Sequence, residues 1–125
     1  MKKVIHTTKA PAAVGPYSQA IECNGMLFVS GQIPLNPETG KIVDGGIKEQ
    51  TIQVMENIRA ILDEAGYSFE DVLKSTCLLS DMANFQAMNE VYATYYPNNP
   101  PARAAFAVKT LPLNVLVEVE TIAAK

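Results

Sequence analysis

The spacing of apolar positions changes along the chain, and each change predicts an element. Residues 2–8 read as a first strand, and residues 10–16, broken by Pro11, Gly15 and Pro16, as a loop. Two strand-like pieces, 18–22 and 26–30, flank Asn24-Gly25, a pair that accepts positive φ and so signals a hairpin. Gly31-Gln32-Ile33-Pro34 should leave the strand, and residues 36–40 should form a surface turn. From 47 to 65 the period becomes helical. Ile47, Ile52, Met55, Ile58, Ile61, Leu62 and Ala65 form one apolar stripe, and Gly66 is placed to stop it. Residues 72–80 return to strand. A second helix, capped by Asp81 or Asn84, should run to about Tyr96 and end at Pro97, with Phe85, Met88, Tyr92 and Tyr95 facing the core. Strands over 102–108 and 115–123 complete the order β-β-β-α-β-α-β-β.

This order describes an α+β domain in which two helices cover only one face of a sheet of about six strands. Yet the last strand carries aliphatic residues on both faces. A bare apolar sheet would aggregate, so the uncovered face is expected to be buried against other copies of the chain in a homo-oligomer. Composition points the same way. The 125 residues are 48% hydrophobic and 18% charged, with mean hydropathy +0.06, which is apolar for a small domain. One domain spanning 1–125 suits that length.

No apolar run approaches the roughly 18 to 20 residues that span a bilayer, and Lys2-Lys3 has no apolar core behind it to make a secretion signal. A cytoplasmic protein without membrane contact is expected. A net charge of −3, a pI near 5.1 and scattered lysines and arginines argue against nucleic-acid binding. Cys23 and Cys77 lie in strand-like contexts and read as reduced thiols. With His6 the only histidine, no metal site can be assembled and no cofactor is expected.

The candidate chemistry begins at Arg103, set in the small, apolar segment Pro101-Ala102-Arg103-Ala104-Ala105 with no acidic residue nearby in sequence. In a strand, Arg103, Ala105 and Ala107 share a face whose alanines are too small to cover the guanidinium. Its flat fork of donors fits a carboxylate or phosphate by two-point contact. The alternatives are a salt bridge to a distant glutamate or an arginine lying over the surface. Tyr17 follows Gly15-Pro16, a turn that aims a phenol into open space. Ser30 ends an apolar strand and could donate to a ligand, and Gly31 would let the backbone approach it. Asn89 sits beside the Phe85–Tyr92 stripe, where packing alone would prefer an apolar residue, and could reach a cleft across a subunit boundary. Glu118 and Glu120 point the same way from the last strand.

Four separated stretches, residues 10–20, Ser30-Gly31-Gln32-Ile33-Pro34, residues 84–92 with Asn89 inside, and Pro101-Ala102-Arg103, together with the ending Val117-Glu118-Val119-Glu120-Thr121-Ile122-Ala123, resemble the RidA (YjgF) family over essentially the whole chain. The resemblance implies a chorismate-mutase-like fold with a six-stranded mixed sheet backed by two helices. It also implies a homotrimer with a central β-barrel and three clefts between subunits. Arginine-bearing members hydrolyse 2-imino acids such as 2-iminobutanoate and 2-iminopropanoate, and their enamine tautomers such as 2-aminoacrylate. The products are 2-oxo acids and ammonia, and the activity protects pyridoxal-phosphate enzymes. By this resemblance Arg103 holds the substrate carboxylate, helped by the backbone N–H of Ala105, and Glu118 activates water. Tyr17 is a further catalytic candidate, hydrogen-bonding the ligand or its water, and Ser30, Gly31 and Asn89 line the cleft as substrate-binding residues. Many relatives carry Cys at the position of Ala105 and Ser at that of Ala104, so the resemblance implies chemistry without a thiol. A non-catalytic carboxylate-binding or regulatory module is the alternative. The endoribonuclease label of some relatives fits least, given the acidic pI and absence of tryptophan.

Overall fold

In the computed structural model, which describes all 125 residues, the regular elements follow the predicted order. They are β1 (Lys3–Ile5), β2 (Ala20–Cys23), β3 (Met26–Gln32), α1 (Ile47–Ala65), β4 (Val72–Leu79), α2 (Phe85–Tyr95), β5 (Ala102–Ala107) and β6 (Val117–Ala124). The strands form a single mixed sheet in the order β1-β2-β3-β6-β4-β5. Neighbours run antiparallel except β4 and β5. That pair is parallel because α2 carries the chain back between them, as a parallel connection requires. Asn24 and Gly25 turn the β2–β3 hairpin at φ 51° and 77°, and Gly66 ends α1 at φ 81°.

Both helices lie on one face of the sheet. In β6 the residues Val117, Val119, Thr121 and Ala123 are buried under the helices, together with Leu27, Val29, Cys77 and Leu79 of the neighbouring strands. Met55, Ile58, Ile61 and Leu62 of α1 and Met88 and Tyr92 of α2 close the core from above. Burying an aliphatic side chain of this size stabilises by about 1.5–3 kcal/mol. On the opposite face Phe28 and Phe106 stay exposed, while Leu78, Ile122 and Glu118 are half-buried.

Several boundaries depart from the sequence pattern, mostly because side chains replace ladder bonds. β1 stops at Ile5 instead of reaching residue 8. The Thr7 N–H donates to Gln19 Oε1 (2.7 Å), and Gln19 Nε2 donates back to the carbonyls of Thr7, Ala10 and Pro11. β3 does not leave the sheet at Gly31 but continues to Gln32 through a bulge, its register on β6 slipping between Val29 and Gln32. β6 begins at Val117 because the Leu116 N–H is taken by Gln50 Oε1 at 2.8 Å. Asp81 caps a separate 3-10 turn, Met82–Asn84, ahead of α2, and Asn84 makes no side-chain cap bond. Ile52, placed on the apolar stripe, is 47% exposed. The buried face of α1 instead includes Gln50, Thr51 and Asn57.

These buried polar residues tie loops to the frame. Asn57 Nδ2 donates to the carbonyls of Ile33 (3.1 Å) and Leu35 (3.0 Å), fixing the segment after β3 against α1. Asn57→Ala leaves two carbonyls without their donor and is expected to lower stability by about 2 kcal/mol. Chemical denaturation of the variant and parent checks this; a change under about 0.5 kcal/mol, as at an ordinary surface site, would contradict it.

Candidate active site

The loops held by these amides enclose a cleft of about 700 Å³ on the open side of the sheet. Tyr17, Ser30, Gly31, Glu118 and Glu120 line it, with Val14, Ile33, Leu35 and Leu113 as apolar walls. The β3 bulge explains the proximity of Gly31 and Glu118. A Cβ on Gly31 would run into the Glu118 carboxylate, so only glycine leaves that side chain its place. Burial, and then the nearby negative charge of Glu120, raise the Glu118 pKa above the ordinary carboxylate value. A carboxyl raised in this way holds its proton more readily than a solvated one and can serve in turn as base and acid. The Ser30 hydroxyl donates to the Ser18 carbonyl at 2.6 Å. With its proton committed there, Ser30 meets the cleft as an acceptor rather than the donor expected. Tyr17 stands at the rim, its hydroxyl accepting the Val14 N–H at 3.4 Å.

Arg103 lies elsewhere. Ser75 and Arg103 are register partners, as are Cys77 and Ala105. Ser75 and Cys77 are buried beneath the helices, so Arg103 and Ala105 belong to the helix face of β5, the edge strand. Arg103 Nη1 donates to Asn89 Oδ1 at 2.6 Å. Its guanidinium carbon sits 5.1 Å from the centre of the Tyr92 ring and 5.4 Å from that of Phe85. Each such cation–π contact at an exposed site contributes about 0.5–1 kcal/mol. No carboxylate lies within ion-pair distance; the salt bridges are Lys48–Glu90 and Glu56–Arg59. The salt-bridge alternative for Arg103 is therefore removed. A second hollow of about 440 Å³ opens beside it, lined by Asn89, Tyr92, Ala93, Tyr96 and Pro101. Ladder alternation leaves another donor here. The Val108 N–H bonds the Leu79 carbonyl of β4, so the N–H groups of Ala105 and Arg103 face the free edge.

A family model described as Endoribonuclease L-PSP matches residues 7–125. A RutC family protein of Pyrococcus horikoshii is 57% identical over 125 residues, covering 100% of this chain and 99% of the relative. A mouse protein named 2-iminobutanoate/2-iminopropanoate deaminase is 48% identical over 123 residues, 98% of this chain and 91% of its own. The crystal structure of E. coli TdcF with bound serine superposes with a TM-score of 0.94 at 38% identity, covering 98% of each chain. The chain belongs to the RidA (YjgF) family. Relatives named as deaminases of reactive intermediates fall within it, and so does the six-stranded mixed sheet with two helices.

Within this RidA-family chain the residues singled out in sequence fall into two groups. Tyr17, Ser30, Gly31 and Glu118 share the cleft on the open face, whereas Arg103, Asn89 and Ala105 gather at the β5 edge. Asn89 accepts from Arg103 of its own chain. The aromatic bed of Arg103, Phe85 and Tyr92, reads from sequence as packing alone. Its signal was the spacing of 85, 89 and 92, which puts all three on one face of α2. The thiol of Cys77, behind Ala105, is pushed up to about 11 by burial and is inert.

A carboxyl whose folded pKa is raised binds more protons folded than unfolded. The stability it adds is present below the unfolded value and lost as pH rises through the folded one. Glu118→Gln is therefore expected to melt at a higher temperature than the parent at pH 7, with the gap closing below about pH 4. Melting curves from pH 3 to 8 check this, and a gap independent of pH would contradict it.

Proposed function

We propose that the protein hydrolyses 2-imino acids, among them 2-iminobutanoate, 2-iminopropanoate and the enamine 2-aminoacrylate, to 2-oxo acids and ammonia. The observation that carries this reading is the Arg103 guanidinium. It is held by Asn89 and two aromatic rings, has no carboxylate partner, and stands on the edge strand of the sheet. One of an arginine's five N–H donors is used by Asn89, leaving the rest for a ligand carboxylate. The mouse relative named for this activity and the serine bound to E. coli TdcF support a small ligand bearing a carboxylate.

The site is complete only when the β5 edge of one copy meets the Glu118 cleft of another. The apolar residues left on the open sheet face, Phe28 and Phe106, favour such an assembly, which we take to be a trimer with a central barrel and three clefts. Arg103, with the outward N–H of Ala105, fixes the carboxylate and so places C2 of the imine. Glu118 of the facing copy takes a proton from water as its oxygen attacks C2, giving a tetrahedral carbinolamine. The imine is attacked in its protonated form, so the carbinolamine nitrogen is an amine. The same carboxyl returns the proton to it, and the C–N bond breaks to release ammonia. The carboxylate takes the hydroxyl proton as the 2-oxo acid forms. Tyr17 and Ser30 orient the water. No step uses a cofactor or a thiol, which agrees with alanine at 104 and 105. In this reading the setting is the cytoplasm, where dehydratases acting on threonine and serine release such imines.

A coupled assay tests the proposal: threonine and a dehydratase generate 2-iminobutanoate, and formation of 2-oxobutanoate is followed. The intact protein should accelerate it, and Arg103→Ala should lower kcat/KM by about 100-fold or more. Arg103→Lys should recover little of this, because an ammonium cannot reproduce the fork. No acceleration by the intact protein, with 2-oxobutanoate still bound, would favour a carboxylate-binding module instead.

A further inference from the structure

The segment Pro112–Asn114 breaks a backbone rule. Leu113 and Asn114 both take left-handed conformations, φ 55° and 56°. Asparagine tolerates that region, but a leucine there is strained. The surroundings enforce it. Leu111 and Val115, on either side, are buried at 4% and 1% exposure. The Asn114 N–H bonds the Leu111 carbonyl (3.0 Å), the Val115 N–H bonds that of Pro112 (3.2 Å), and Gln50 clamps Leu116. The result is a rigid arch. At its crown the Leu113 side chain is 69% exposed, yet it lines the cleft that holds Glu118. Strain kept at a cleft wall, presenting an apolar group that gains nothing from the core, marks a functional constraint. Across the cleft Val14, 84% exposed, is a second apolar side chain without a core role.

We propose that Leu113 is a specificity-determining residue, forming with Val14 a fixed apolar wall that takes the aliphatic side chain of a 2-imino acid and favours longer or branched chains over 2-iminopropanoate. This rests on the deaminase reading above and names the substrate feature its cleft selects. A rigid wall discriminates because each methylene fitted against it contributes to transition-state binding, whereas the shortest substrate does not reach it.

The test compares imines made in situ from alanine, 2-aminobutanoate and leucine by an amino acid oxidase. Leu113→Ala should lower kcat/KM for the leucine-derived imine about fivefold or more and leave the alanine-derived one within about twofold. Leu113→Gly, which also relieves the left-handed strain, should show the same selective loss, and Leu113→Met should retain most of the preference. Equal falls for all three imines would overturn the proposal. A binding arm, calorimetry with 2-oxopropanoate and 4-methyl-2-oxopentanoate, separates this claim from the deaminase reading. If the intact protein accelerates no imine, that reading fails. Leu113 is then judged by binding alone: the parent should prefer the longer acid and Leu113→Ala should lose the preference, while a preference unchanged in the variant overturns the proposal.

Discussion

Alternation along a β-strand, combined with only two helices to cover the sheet, governs what this chain can do alone. Residues on one face of β6 are buried under α1 and α2, and those on the other, Glu118 among them, face the open side. On β5 the same alternation sends Arg103 to the helix face, at a strand with no neighbour on its far side. A cation suited to a carboxylate and a carboxyl with a raised pKa thus lie on opposite faces. Neither meets the other within one chain, and the apolar residues of the open face offer a second copy a place to bind.

The cleft around Glu118 is built at a local cost. A bulge breaks the β3–β6 register, a glycine gives up its side chain to make room, and a leucine sits in a left-handed conformation. Buried amides compensate by holding each wall. Gln19 clasps the loop from Thr7 to Pro11, Asn57 holds Ile33 and Leu35, and Gln50 holds Leu116. Fully satisfied polar groups of this kind rigidify a unique arrangement. Arg103 is likewise held in place, between Asn89 and two rings, so a ligand binding there would require less ordering.

The elements were legible because their signals are local. The Asn24-Gly25 hairpin, the stop at Gly66 and the span of α1 all stand where the pattern puts them, although Ile52 of the expected stripe is exposed. The errors fall where a distant side chain replaces a backbone partner. Gln19 ends β1 early and Gln50 delays β6, and neither pairing, 12 and 66 residues apart in sequence, leaves a periodic trace. The isolation of Arg103 was readable, since no acid stands near it in sequence and none reaches it in the fold. Its aromatic bed was hidden, because Phe85 and Tyr92 satisfy a core stripe equally well. Leu113 was invisible for another reason: sequence shows a leucine in a loop, and only the backbone shows that it is strained and exposed.

Whether Arg103 of one copy works with Glu118 of another is decided by complementation. Arg103→Ala and Glu118→Gln chains, each inactive alone, are co-expressed with different tags, and assemblies carrying both tags are assayed for imine hydrolysis. If each cleft draws its arginine and its glutamate from different chains, one cleft in each dual-tagged trimer is intact, and about a third of the parent activity returns. Mixed assemblies as inactive as the two parents would place both residues in one chain's site and contradict the account.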